Sequence, residues 1–282
     1  MKRKHRDFHR LAERQVLDRR SLELRKLILN GYTSARRGHL GSYLSLVEIL
    51  RVLYDDILSV RPRNPQWKDR DRFILSKGHG SLALYAILAD HGFFSKKLIK
   101  SFVSFDSMFG QHPDSRKVPG VEASTGSLGH GLSIGVGMAL AARIDHKKYR
   151  TIVVISDAES QEGSIWEAAL AIHKHNLTNL TTIVDYNHMQ SYAATHEVLD
   201  LEPFTRKWEA FGFTVTEVNG HDVGALRKAF KRVLTKPTKP QIVICHTVKG
   251  KGIPMTENNM DWHHKTKLTD QEIKTLYKGL GK

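Results

Sequence analysis

The residues of this chain best equipped for chemistry are an acid and an amide, Asp157 and Asn187, thirty positions apart. Each stands at the end of a short apolar run, Thr151-Ile-Val-Val-Ile before the acid and Leu180 to Tyr186 before the amide. Runs of that length and β-branched content read as strands buried on both faces of a parallel sheet. Ligands bind such sheets beyond the carboxyl ends of the strands, so the two side chains are expected to share one crevice. A carboxylate and an amide oxygen are hard ligands that suit Mg2+, an ion that takes much of its oxygen shell from phosphate and water. A helix expected over Glu162 to His175 would aim its first peptide N–H groups at an anion in the same crevice. An Asp after a strand is also an ordinary helix cap, and an Asn an ordinary turn residue, so the pair alone leaves both readings open.

The neighbouring text narrows the choice. Ser156-Asp157-Ala158-Glu159 followed by Asn187 resembles the Gly-Asp-Gly…Asn signature of thiamine-diphosphate enzymes, and Gln161-Glu162-Gly163-Ser164-Ile165-Trp166-Glu167-Ala168 resembles its transketolase continuation. Five more segments resemble transketolase, in family order: Arg37-Gly38-His39-Leu40-Gly41, Ser76-Lys77-Gly78-His79-Gly80, Gly110-Gln111-His112-Pro113, Ser124-Thr125-Gly126-Ser127-Leu128-Gly129 and Trp262-His263. The resemblance implies Mg2+ held by Asp157, Asn187 and the backbone carbonyl of Met189. It implies thiamine diphosphate contacted by His79, by the loop Gly126, Ser127 and Leu128, and by Asp157, Ala158, Glu159 and Asn187. It also implies catalytic roles for His39, His112 and His263, lining a channel for sugar hydroxyls and the developing oxyanion. Imidazole suits that work because it donates, accepts and shuttles protons near neutral pH. With sixteen histidines present, any single one is as readily a surface or capping residue, and His264 competes with His263. Lys249-Gly250-Lys251-Gly252, just past a strand, reads as a phosphate-contacting turn rather than a solvated basic loop. Two departures stand out: the glycines that flank the family acid are Ser156 and Ala158 here, and a positive φ at Ala158 would be strained.

These residues need a scaffold that brings strand ends together. Apolar spacing gives a helix over Leu11 to Asn30, closed by Gly31 as a left-handed cap, an extended Phe73 to Ser76, and helices over Ser81 to His91 and Leu128 to Arg143. Strands over Phe213 to Val218 and Ile242 to His246 flank a helix over Val223 to Leu234. The alternation implies an α/β fold: a doubly wound, mostly parallel sheet with helices on both faces. The resemblance makes this the thiamine-diphosphate-binding fold, one diphosphate-binding domain over 1–282 with a basic helical extension over about 1–30.

Composition sets the outer limits. The chain has 282 residues, 40% of them hydrophobic, as expected of a globular protein rather than a disordered or membrane one. Lys plus Arg number 44 against 29 Asp plus Glu, a formal charge of +15, which favours anionic ligands. The charge is spread along the chain and dense only over Met1 to Arg20, so nucleic acid is a disfavoured partner. The single cysteine, Cys245, excludes a disulfide framework. No signal peptide or spanning segment is visible, and a cytoplasmic location is expected. Gly129 to Gly135 lacks the spacing and the preceding strand of a dinucleotide fingerprint.

By resemblance, a glutamate from a separate pyrimidine-binding half activates the cofactor, and only about thirty residues follow Gly252, too few for that half. The expectation is therefore a partner chain and an α2β2 heterotetramer, with Glu162 and Glu167 at the interface. The expected activity is transfer of a two-carbon ketol unit from a ketose or ketose phosphate to an aldose. The alternatives are a related thiamine-diphosphate synthase acting on another sugar and a non-catalytic, partner-binding subunit.

Overall fold

A computed structural model describes residues 7–281. The basic run Met1 to Arg6, expected to open the extension, lies outside the described residues. The helices before the sheet are α1 (Phe8–Arg14), α2 (Arg19–Ala35), α3 (Leu40–Ser45) and α4 (Val47–Val52). Strand β1 (Arg72–Leu75), α5 (Ser81–Asp90), α6 (His130–Ile144), β2 (Thr151–Ser156), α7 (Gly163–Lys174) and β3 (Leu180–Tyr186) follow. The chain continues through α8 (Thr195–Val198), α9 (Phe204–Ala210), β4 (Thr214–Asn219), α10 (Val223–Leu234), β5 (Gln241–His246) and α11 (Asp270–Leu280).

The strands form one sheet in the order β1-β2-β3-β5-β4, every pairing parallel. Successive side chains on a strand point to opposite faces, and the two cores follow that rule. Ile152, Val154, Ile183, Val243 and Cys245 join the core beneath α2, α4, α5 and α10, while Val153, Ile155, Val184, Ile242 and Ile244 join the core beneath α6, α7 and α9. Each such side chain contributes roughly 1.5–3 kcal/mol by leaving water, so one charged substitution here would unseat a helix layer. The strands carry no amphipathic signature because both faces are covered. Helix α10 does: Leu226, Ala229, Phe230 and Val233 are buried on one stripe, and the Asp222 carboxylate caps the first turn by accepting from Ala225 N at 2.9 Å.

The N-terminal helix differs from expectation. It is two helices, because Asp18 starts a new one, its carboxylate accepting from Ser21 N at 2.9 Å. Gly31 does not end the second. Helix α2 runs on to Ala35 and Arg36 takes the left-handed cap at φ 55°. A Cβ on Gly31 would lie 2.9 Å from both Ile99 and Leu82, so this glycine serves close packing. Leu24, Ile28, Leu29 and Tyr32 are buried in the main core, and α2 is thus no peripheral extension. Helix α7 begins at Gly163 with Glu162 as its N-cap, directly after a 3-10 turn over Ala158–Gln161.

Candidate active site

Beyond the carboxyl ends of the central strands lies a cavity of about 250 Å3. Its wall draws Lys77 and His79 from the segment after β1, Ser156 and Ala158 from the end of β2, Asn187 and Met189 after β3, and Lys249 after β5. The lysines are its main charges. Lys77 is buried, and its ammonium pairs with the Asp185 carboxylate. Ser45 and Thr247 hydroxyls donate to the same carboxylate. Burial opposes ionisation of Asp185, but Lys77 and these donors hold it below the usual carboxylate range. Lys249 is buried too, and burial, with Lys77 close by, pushes its ammonium well below the ordinary lysine value. It donates to the carbonyl of Met189 at 3.0 Å. Gly250, next in sequence, has φ 82°, and a Cβ there would lie 2.1 Å from the Thr256 carbonyl oxygen, so the lysine is set on a turn only glycine permits. Lys77 disfavours the charged form of Lys249, so an anion bound beside both would relieve that repulsion.

The oxygens lie beside the lysines, the Met189 carbonyl within hydrogen-bond distance of Lys249. Asp157 is fully buried; its carboxylate accepts from Ala158 N at 2.9 Å and from His188 N at 2.6 Å, which ties it to the turn that carries Asn187 and Met189. Burial and the neighbouring Asp185 raise the Asp157 pKa. Asn187 Oδ1 accepts from Met189 N at 3.1 Å. One carboxylate from the end of β2, with one amide oxygen and one peptide carbonyl from the turn after β3, form a hard donor set that fits Mg2+. Ala158 lies in its 3-10 turn without a positive φ, so its backbone does not demand glycine. Ser156 uses its hydroxyl to accept from Glu159 N at 3.0 Å and thereby caps that turn.

The histidines converge. The His39 ring lies 5.3 Å from His79, 5.8 Å from His263 and 4.6 Å from His264. His112 lines the same cavity against Gly126. His263 is buried and faces the cavity, bonded to the Ser191 hydroxyl at 3.0 Å, whereas His264 is exposed and covers His39 from outside. Burial, then the surrounding lysines and histidines, lower the His39 and His263 pKa values to about 3. His79 is pushed well down and His112 down by the same burial. The four rings are therefore neutral at pH 7, each able to donate from one nitrogen and accept at the other. Three buried polar atoms of this cavity have no partner: His39 Nδ1, His263 Nδ1 and Ser42 Oγ. Unsatisfied groups of this kind call for a polar ligand.

The structure distributes the sequence-derived candidates unevenly. His39, His79, His112, Gly126, Leu128, Ala158, Asn187, Met189, Lys249 and His263 all line the cavity, with Asp157 just behind its wall. Ser127 is exposed and lies off it. Glu159 points away: its carboxylate accepts from the Ser76 hydroxyl, from Gly129 N at 2.8 Å and from Ser156 N at 3.3 Å, locking three loops together. Lys251 also leaves the site and donates to the Glu13 carbonyl at 2.7 Å. Sequence reasoning assigned no role to Ser42, Lys77, Gln161, Gln190 or Ser191, which line the cavity. Asp185 was detectable as the lone acid inside a run otherwise reading as fully buried strand.

The family profile described as "Transketolase, thiamine diphosphate binding domain" matches residues 18–282. This chain belongs to that family. Among its relatives, one subunit of the apulose-4-phosphate transketolase of Phocaeicola vulgatus is 41% identical over 91% of either chain. The 6-deoxy-6-sulfo-D-fructose transketolase subunit of a Clostridium species is 38% identical over 96% of this chain and 99% of that protein. Among solved structures, a transketolase from Pichia stipitis superposes with a TM-score of 0.87 at 27% identity, over 95% of this chain and 41% of that one. The transketolase from Leishmania mexicana gives 0.85 at 29% identity, over 93% and 41%. The chain thus spans about two-fifths of the solved transketolases it matches. The sheet and its helix layers are the thiamine-diphosphate-binding α/β fold of this transketolase family.

Proposed function

We propose that the chain is the diphosphate-binding subunit of a two-chain transketolase, which moves a two-carbon ketol unit from a ketose or ketose phosphate to an aldose. The observation that carries this reading is the one cavity in which two buried lysines, the oxygens of Asp157, Asn187 and Met189, and four neutral imidazoles meet. Lys77, Lys249 and His79 would grip the diphosphate of thiamine diphosphate, and Asp157, Asn187 and the Met189 carbonyl would hold Mg2+ against it. Gly126 and Leu128 would support the organic part of the cofactor. The bound cofactor supplies an electron sink for carbon–carbon bond cleavage. His39, His112 and His263 orient the sugar hydroxyls, and their neutral rings accept or return a hydroxyl proton. Their unpartnered Nδ1 atoms at His39 and His263 suit that task.

The second chain is proposed to bring the pyrimidine-binding half, giving an α2β2 assembly. Two features support it: the solved transketolases are more than twice as long, and α6 and α7 expose apolar side chains, Ile134 and Leu170 among them. Glu162 and Glu167 are exposed on that side and would enter the interface. Among the described residues no helix is long and apolar enough to cross a membrane. The test is titration calorimetry with Mg2+ and thiamine diphosphate, then a panel of ketose phosphates assayed with the partner chain present. Cofactor binding and ketol transfer are expected, both abolished by Asp157→Ala. Turnover retained in that variant would refute the assignment.

A further inference from the structure

Outside the cavity, helix α1 packs across β4 and β5 and reaches the turn that carries Asn187 and Met189 through aromatic rings. The Phe8 ring stacks on His246 at 5.4 Å, and the His9 ring meets His188 edge-on at 4.8 Å. His188 packs in turn on Tyr186 at 4.3 Å, and Tyr186 lies flat on Phe204 at 5.0 Å. His188 is therefore clamped between α1 and the body of the protein. Two polar contacts fix α1 itself: Asn219 Nδ2 donates to Gln15 Oε1 at 3.0 Å, and Lys251 Nζ to the Glu13 carbonyl at 2.7 Å.

His188 has backbone consequences. It stands between Asn187 and Met189 at φ 62°, a left-handed conformation that costs a non-glycine residue about 1 kcal/mol or more. In that conformation its N–H donates to Asp157 Oδ2 at 2.6 Å. The strained conformation persists only if packing over-determines it, and the His9 edge and the Tyr186 ring do so from two directions. The His9–His188 contact is edge-on ring packing, with centroids 4.8 Å apart. The part of the chain that defines the family begins at residue 18, after α1.

We propose that α1 is a positioning element, in which His9, acting through His188, holds residues 187–189 so that the Asn187 and Met189 oxygens stand beside Asp157. That those oxygens serve a cation and its diphosphate rests on the function proposed above. His9 touches neither group.

The test uses the full chain with His9→Ala and His9→Phe. Deuterium exchange over 187–195 in the ligand-free protein reads the turn directly, calorimetry reads Mg2+–thiamine diphosphate affinity, and thermal melting reads the core. In His9→Ala, exchange at the His188 amide should accelerate about 10-fold. The cofactor dissociation constant should rise about 10-fold, as for removal of an outer-shell support. The melting temperature should hold, and His9→Phe, which keeps a ring edge, should restore both signals. Unchanged exchange at His188 overturns the proposal, as does faster exchange spread evenly over the sheet with a fallen melting temperature. If wild type binds no cofactor even with the partner chain present, yet the turn still loosens in His9→Ala, the brace stands and the proposed function falls.

Discussion

Arg25 is fully buried, and its loss should be the most damaging single substitution far from the cavity. Its guanidinium donates to both Glu48 oxygens, at 2.5 and 3.0 Å, to the Leu44 carbonyl at 3.1 Å and to the Lys251 carbonyl at 2.8 Å. Glu48, equally buried, also binds His221 Nδ1 at 2.7 Å, and His221 Nε2 accepts from Val248 N at 2.9 Å. The network joins α2 and α4 to the segment that carries Lys249. Arg25→Met leaves the Glu48 carboxylate buried with one donor, and breaking such a pair costs about 3–5 kcal/mol. At this chain length each kcal/mol lowers the melting temperature by roughly 2–4 °C, so a fall of about 10 °C is expected. Burial opposes ionisation of Glu48, but Arg25 and His221 hold its pKa below the usual 4.5. Its stabilisation is fully present above that value and is lost as pH falls. Without Arg25 the folded pKa rises above 4.5, so the deficit of the variant should be larger at pH 8 than at pH 4. Adding Glu48→Gln, which removes the charge yet keeps an acceptor for His221, should recover most of the loss. Urea unfolding of the four proteins at both pH values measures this cycle. A deficit under about 1 kcal/mol that does not vary with pH would refute the reasoning, because it would mean that water reaches the pair.

Two other variants probe the cavity and the loop junction held by Glu159. Lys249→Met should stabilise the chain at neutral pH and still weaken thiamine diphosphate binding about 10-fold or more, since a hydrogen bond to a charged group is lost. Burial and Lys77 depress the Lys249 pKa below 10.5, so the unfolded chain binds the extra proton. Wild-type stability should rise as pH climbs toward 10.5, and the variant should lack that rise in thermal melts. Gly131→Ala would place a Cβ 2.3 Å from Ser76 Oγ and 2.7 Å from Ser76 Cα, at the junction held by Glu159. A loss of about 2 kcal/mol in chemical denaturation is expected.

What the sequence disclosed depended on whether a signal was local. The runs Thr151 to Ile155 and Leu180 to Tyr186 carried enough β-branched density to place both strand ends, and the parallel-sheet rule then put Asp157, Asn187 and Lys249 at one crevice; Asn187 and Lys249 line the cavity, and Asp157 lies just behind its wall. Gly31 misled because one letter serves two purposes, a left-handed cap and a close helix contact, and only the positions of Ile99 and Leu82 decide between them. The break before α2 had a local marker, Asp18 three residues ahead of Ser21, which the apolar spacing overrode. The resemblance assigned Glu159 to the cofactor, but the partners of its carboxylate, Ser76 and Gly129, are 83 and 30 residues away in sequence. The same holds for α1, whose rings meet His188 and His246 only after the whole sheet has formed. Residues that touch a ligand sit at strand ends and announce themselves by type and place, whereas those that hold the ligand-binding residues in position are chosen by distant packing. The second group is therefore where a chain of known family still has functional residues to find, and His9 is the first to test.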